Sequence, residues 1–236
     1  NSGASLIIAV LAPILGTIAD YRGNKKKFFG GFFAVGVLTT LSLAIFEQGE
    51  WLPALLVYVV SAIGFAGANI FYDSFLTDVS EPDRMDRVSA YGFGWGYIGS
   101  TIPFILSMAL IIGADRIGFR SATAPVRLSF LMTGLWWGLF AIPMLRKVRQ
   151  VYFVPPSPTP ISDSFRRLAD TFRNIRRYRQ VFLFLLAYFF YIDGVDTIIK
   201  MATPIARSMG IEQNMLLVIL LAIQIVAFPF AILYGK

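Results

Sequence analysis

Asp193, Asp196 and Lys200 stand at i, i+3 and i+7 inside one long apolar run. Read as a helix, that spacing puts all three on one face. A span beginning near residue 181 carries Asp193 about 12 residues in, roughly 18 Å at 1.5 Å per residue. That is near the middle of a bilayer, where ionisable groups are costly and normally face a cavity. Either aspartate suits a carboxylate that takes up and releases a proton, or a counter-charge to a substrate amine. A structural alternative pairs Asp196 with Lys200, the lysine snorkelling outward. Gly194 beside them and Pro204 beyond suggest a helix that bends or breaks.

A second polar group lies at the end of another apolar run. Asn69, Tyr72 and Asp73 form a patch, with Asn69 and Asp73 as i,i+4 neighbours, and they are candidates to line a cavity. Asp73 and the later Asp78 also suit ion pairs with basic residues of a loop elsewhere; that role is expected for Asp78 and left open for Asp73. Gln224, alone in the last apolar run, is a weaker cavity candidate.

The elements that must position these groups follow from composition. Of 236 residues, 56% are hydrophobic and only 15% charged, against about 25% charged in an ordinary soluble domain. Apolar runs near 20 residues, each long enough to cross about 30 Å of hydrocarbon, recur at about 4–19, 28–46, 52–76, 88–113, 126–145, 181–202 and 213–234. The expected fold is all-α: a polytopic transmembrane helical bundle of about seven spans in a lipid bilayer. The chain has no cysteine and no histidine. Thiolate metal sites and the commonest proton shuttle are therefore absent, and no metal or cofactor is expected. Gly94-x-Gly96-x-x-Gly99 matches the dinucleotide fingerprint by letter, but that motif needs a preceding strand. Inside an apolar span, Gly92, Gly94, Gly96 and Gly99 read instead as small residues for close helix packing.

The formal charge of +7 reads as topology rather than nucleic-acid binding, because alternate loops carry sixteen Lys and Arg against five. The rich side should be cytoplasmic, which places loops near 20–27, 77–88 and 146–180 inside; the Arg116–Arg127 loop fits least well. The long connection 146–180 holds Pro155-Pro156-Ser157-Pro158-Thr159-Pro160, a stiff breaker. Phe165, Leu168, Phe172 and Ile175 then make one apolar stripe among arginines, with Ser162 as the expected N-cap. A basic amphipathic helix on the membrane surface and a connector packed on the span ends are both open, and compatible. The connection divides the chain into 1–145, 146–180 and 181–236. Both ends read as cut, since Asn1 opens directly before an apolar run and Gly235-Lys236 closes one.

Gly16-Thr17-Ile18-Ala19-Asp20-Tyr21-Arg22-Gly23-Asn24-Lys25-Lys26 is the most specific local signal. Gly16 permits close helix approach, Asp20 sits at the membrane edge, Gly23 allows a tight reversal, and Lys25 and Lys26 hold the loop on one side. The pattern resembles the signature loop between the second and third helices of the major facilitator superfamily, with Tyr21 departing where that family often has a basic residue. Phe71–Asp78, Asp86-Arg87-Val88-Ser89, Gly92–Gly99 and Phe184–Thr197 resemble its vacuole-effluxer-like branch. That branch includes a fungal autophagy-related exporter of vacuolar amino acids and many uncharacterised bacterial members.

The resemblance implies helices 2 to 8 of a twelve-helix carrier in a bacterial inner (plasma) membrane, with the remaining helices of the same polypeptide as partners. It implies alternating access for a small solute such as an amino acid, in the export direction, with protons as a candidate coupling ion. Gly16, Asp20, Gly23, Lys25, Lys26, Asp78 and Arg87 would form the gate, and Asp193, Asp196, Lys200, Asn69, Tyr72 and Asp73 the substrate or ion site. No P-loop is present to power transport by ATP. The rival reading is a non-transporting polytopic receptor or a membrane-embedded enzyme, and with no His or Cys the enzyme is thinly supported.

Overall fold

The computed structural model describes the chain except Asn1, Arg22, Arg120, Ala122, Pro156 and Lys236, and except the side chains of 2–6, 9, 10, 160, 161, 172 and 176. Arg22, Arg120, Lys236 and the Phe172 side chain, used in the sequence reading, thus lie outside the described residues.

Apolar runs with no water to satisfy their backbone must hydrogen-bond within themselves, and so they coil. Seven long helices coincide with the seven expected spans: α1 (Ser2–Ala19), α2 (Asn24–Ser42), α3 (Trp51–Ser74), α5 (Met85–Ile112), α7 (Ala124–Lys147), α9 (Arg179–Ser208) and α10 (Gln213–Tyr234). α1 has 18 residues. The other six are long and apolar enough to cross a membrane by length and composition. Short helices α4 (Leu76–Val79) and α6 (Ala114–Ile117) sit in the connections, and α8 (Pro160–Asn174) occupies the long one. Among the described residues there is no β-strand, only an isolated parallel bridge between Tyr21 and Val154. The chain is an integral, multi-pass membrane protein.

The tightest packing joins α2 to α3. A methyl group on Gly64 would lie 2.5 Å from the Gly36 nitrogen and 2.6 Å from its Cα. Backbone meets backbone there, and only glycine fits. One turn on, Gly67 receives the face of Phe32, and across α2 the Trp137 ring of α7 lies over Gly36. Phe33 meets Trp137 edge to face at 5.4 Å. Ala19, Phe29, Ala68, Phe71 and Phe75 form the buried centre of this group, which joins α1, α2 and α3 beside α7. α5 leans on α7 and carries α10 along its other side.

Two expectations need correction. Of the bend or break expected at Gly194 and Pro204, the break does not occur: α9 runs unbroken from Arg179 to Ser208; glycine lowers helix propensity without ending a helix, and an apolar setting enforces the remaining hydrogen bonds. α8 starts at Pro160 with Thr159 before it, so Ser162 is inside the helix and not its cap. The turn is held instead by Asp163, whose Oδ2 accepts the hydroxyls of Ser157 and, at 3.3 Å, Thr159.

Candidate functional site

The end of the bundle where α1 hands over to α2 concentrates the polar contacts. Gly23 turns the chain with φ +75°, a conformation that costs other residues. This aims the first turn of α2 at the end of α3. Lys25, only 7% exposed, donates to Asp78 Oδ2 at 2.8 Å and to the Ser74 carbonyl at 3.1 Å. Its ammonium also stands 5.7 Å from the centre of the Phe75 ring. The Asp78 side chain is fully enclosed. Its other oxygen, Oδ1, accepts the backbone N–H groups of Val151 and Tyr152 at 2.8 and 2.9 Å. An ion pair this dry persists when donors also occupy its spare lone pairs. Lys26 Nζ donates to the Val148 carbonyl at 2.9 Å.

Val151 and Tyr152 belong to the connection between α7 and α8, so this clip contains a segment distant in sequence. Gln150 fastens it. Its Oε1 accepts the Gly23 N–H at 2.9 Å, and its Nε2 lies within hydrogen-bond distance of the carbonyls of Ala19 (3.2 Å), Asp20 (3.3 Å) and Tyr152 (3.3 Å). Val154 N–H donates to the Asp20 carbonyl at 2.8 Å, beside the Tyr21–Val154 bridge. Beyond the prolines, α8 packs on α1: Arg167 Nη2 donates to the Thr17 carbonyl at 3.2 Å, and its guanidinium stands 5.2 Å from the Tyr21 ring centre. The face α8 turns inward carries buried Ser164, while Phe165 of the expected apolar stripe is half exposed. Partial burial pushes the Asp20 carboxyl above its usual range, with Arg167 and Lys25 pulling it part of the way back.

Neither Gln150 nor the strap it anchors emerged from the sequence reading. The signal was present: one amide amid Arg146, Lys147 and Arg149, followed by Val151-Tyr152-Phe153-Val154, a run of extended-chain formers.

The remaining expected residues scatter. Arg87 is not in the clip; it stands over Tyr91 at 5.6 Å, near Gly235 at the end of α10. Gly16 has open space beside it. Asn69 and Asp73 lie on the face of α3 turned away from Gly64, Ala68 and Phe71, and Tyr72 is exposed. On α9, Asp196 and Lys200 form an ion pair at 3.1 Å with both side chains about half exposed. Asp193 is exposed, and α9 has no buried residue among those described. Of the four glycines in α5, Gly94 takes the close contact, against Ile232 and Phe228 of α10. Gly92, Gly96 and Gly99 face open space.

Three polar links tie helices to one another or to a neighbouring loop, and of their residues only Gln224 was a candidate from the sequence. Ser100 and Thr101 of α5 reach Gln224 Oε1 of α10 at 3.0 and 3.4 Å. Thr40 and Ser61 share a hydrogen bond of 2.8 Å between α2 and α3. At the opposite end of the bundle, Arg127 Nη1 pairs with Glu47 at 3.7 Å and Arg127 Nε donates to the Ala44 carbonyl.

A family model described as vacuole effluxer Atg22 like matches residues 1–83 and 76–234. An uncharacterized MFS-type transporter, YxiO, of Bacillus subtilis (strain 168) is 55% identical over 234 residues, covering 99% of this chain and 55% of the relative. Autophagy-related protein 22 of Coccidioides immitis (strain RS) is 23% identical, covering 86% of this chain and 43% of its own length. The protein of that name from Pichia angusta is also 23% identical, covering 86% and 44%. The chain thus spans about half the length of these relatives. No solved structure matches it. With the family model covering nearly every residue and a bacterial relative aligned from end to end, the chain belongs to the vacuole effluxer Atg22-like family of major facilitator transporters.

Proposed function

We propose that this chain is part of a secondary active transporter that moves a small solute by alternating access. One observation carries the reading: the first helices close at one end through a dry, fully bonded polar clip formed by Lys25, Asp78 and the connection after α7, the kind of closure that alternating access needs. The printed descriptions of the relatives, an MFS-type transporter and an effluxer family, support the same reading. An effluxer family favours outward movement over a receptor or an enzyme, and the resemblance of the sequence motifs implies a solute such as an amino acid.

On this reading the helices are numbers 2 to 8 of twelve. Residues 1–145 belong to the first half, 146–180 form the connecting linker, and 181–236 begin the second half. The clip faces the cytoplasm, where the basic loops gather, and closes the inner gate through Lys25 and Asp78. Asp193 is the coupling carboxylate, because Asp196 already has Lys200. Asn69 and Asp73, turned away from Gly64, Ala68 and Phe71, and the exposed Tyr72 face the solute path. The remaining helices of the same polypeptide complete the cavity.

The test is uptake of candidate solutes into proteoliposomes holding the intact protein, with and without a pH gradient. Flux that responds to the gradient is expected. Absence of flux for every solute from folded protein ends the transporter reading. Unchanged gradient-dependent flux in Asp193→Asn removes that residue from the coupling step.

A further inference from the structure

We infer that Gln150 is a positioning residue of the gate, and that the linker strand it anchors is itself part of the closure. The inference rests on the alternating-access reading above and assigns to the connection between the halves a task beyond tethering them. Three observations converge. Gln150 is the hub of the contact: it accepts the Gly23 N–H at 2.9 Å and reaches the Ala19 and Asp20 carbonyls at 3.2 and 3.3 Å. It thereby bonds both sides of the one turn whose shape sets where Lys25 points. The acceptor that Lys25 finds there, Asp78, has its second oxygen filled by Val151 and Tyr152, the two residues after Gln150. Without the strap, Asp78 would lose both N–H donors from its second oxygen and the pair its cover on that side. Finally, the strap is tied again downstream, by Val154 to Asp20 and by Arg167 to Thr17. The linker is thus held to the loop on both sides of its proline run.

This arrangement makes the Lys25–Asp78 pair conditional. The pair is dry and complete only with the linker seated, so opening that end requires the strap to leave as well. Because the linker continues into α9, movement of the second half pulls on the strap directly. Gln150 contacts no solute. It acts through the turn and through Asp78.

The absence of cysteine from the chain allows a clean test on the intact protein. Ala19→Cys places a thiol at a site 1% exposed at the end of α1, in the buried group with Phe29, Ala68 and Phe71, which is reached only when this end of the bundle parts. Ser164→Cys places one at a site 1% exposed on α8. The Ser164 hydroxyl makes no hydrogen bond among the described residues, so its exchange for a thiol loses none. Reaction of each with a membrane-impermeant maleimide is timed in open membrane fragments, with and without Gln150→Ala. Loss of hydrogen bonds that hold only the closed state should speed labelling about tenfold at both sites. The melting temperature should move by no more than about 4 °C.

Gln150→Glu has the same shape and still accepts from Gly23, but it cannot donate to the Ala19, Asp20 and Tyr152 carbonyls. It should also speed labelling, and it decides the matter if Gln150→Ala does not insert. Unchanged labelling in a folded variant overturns the inference. So does faster labelling accompanied by general loss of the fold, seen as a fall in melting temperature beyond that range. Labelling needs no solute, so the two readings separate. Faster labelling without any flux leaves the strap standing and the transporter reading fallen; flux with unchanged labelling does the reverse.

Discussion

The clip at the loop end and the polar ladder of α9 contain the same kinds of residue and treat them in opposite ways. In the clip, Lys25 and Asp78 are almost wholly removed from solvent, and both Asp78 oxygens have donors. In the ladder, Asp196 and Lys200 are paired but about half exposed, and Asp193 stands outside the pair. The difference is one of enclosure: the chain seals the clip on every side, while α9 has no buried residue among those described. A buried pair with every lone pair filled is committed to one geometry, whereas an exposed pair on a single helix exchanges partners at little cost.

That contrast breaks most readily at Asp78. Asp78→Ala leaves the Lys25 ammonium buried without its counter-charge and frees two N–H groups, and should cost about 3–5 kcal/mol. Thermal unfolding in detergent checks it; a loss below about 1 kcal/mol would place the pair with ordinary surface bridges.

Next comes the packing beneath the clip. Gly64→Ala drives a methyl into the Gly36 backbone, so α2 and α3 must part, at about 1–3 kcal/mol. Gly99→Ala, in open space, should leave stability unchanged or slightly improved. The two variants compared side by side show whether close packing is confined to the first group of helices.

On the ladder, Asp196→Asn should change stability by less than about 1 kcal/mol, since the pair is exposed. A larger loss would mean that the ladder is structural, like the clip.

The smallest effect concerns pH. The folded Asp20 carboxyl is pushed above its ordinary value, so the fold favours its protonated form. The stability this contributes is full below the unfolded value and is lost as pH rises through the folded one. Asp20→Asn should therefore be slightly more stable than the parent at pH 7, with the gap closing towards the unfolded value of 3.8. Melting curves at several pH values read it directly.

The spans were legible because each is written locally: twenty apolar residues have few alternatives to a helix in lipid. The reversal at Gly23 was legible for the same reason, since a glycine between a helix end and a basic pair is local turn chemistry. What escaped the sequence depends on distant partners. Gln150 meets Gly23 across 127 positions, and while the residues around it mark an extended segment, nothing local names its partner. The glycines of α5 drew attention by their density, yet the tight contact formed at Gly36 and Gly64, because packing selects glycine where two backbones cross and not where it is frequent. Of the bend or break expected at Gly194 and Pro204, the break did not form, because propensity is a weak prior inside an apolar helix. For the candidate site, pairing Asp78 with the signature loop lay within reach of charge and position; the backbone donors on its other oxygen did not.

The long reach of Gln150 also sets an order of events during synthesis. The Gly23 loop leaves the ribosome 127 residues before its amide partner, a delay of roughly 6–25 s at 5–20 residues per second. Through that interval Asp78 and the turn are present while the strap is not, so the nascent chain passes through a stage with this end of the bundle unfastened. The early helices must therefore hold together on the packing of α1, α2, α3 and α7 without the strap. The strap then arrives as a late check that only a chain translated beyond α7 can satisfy.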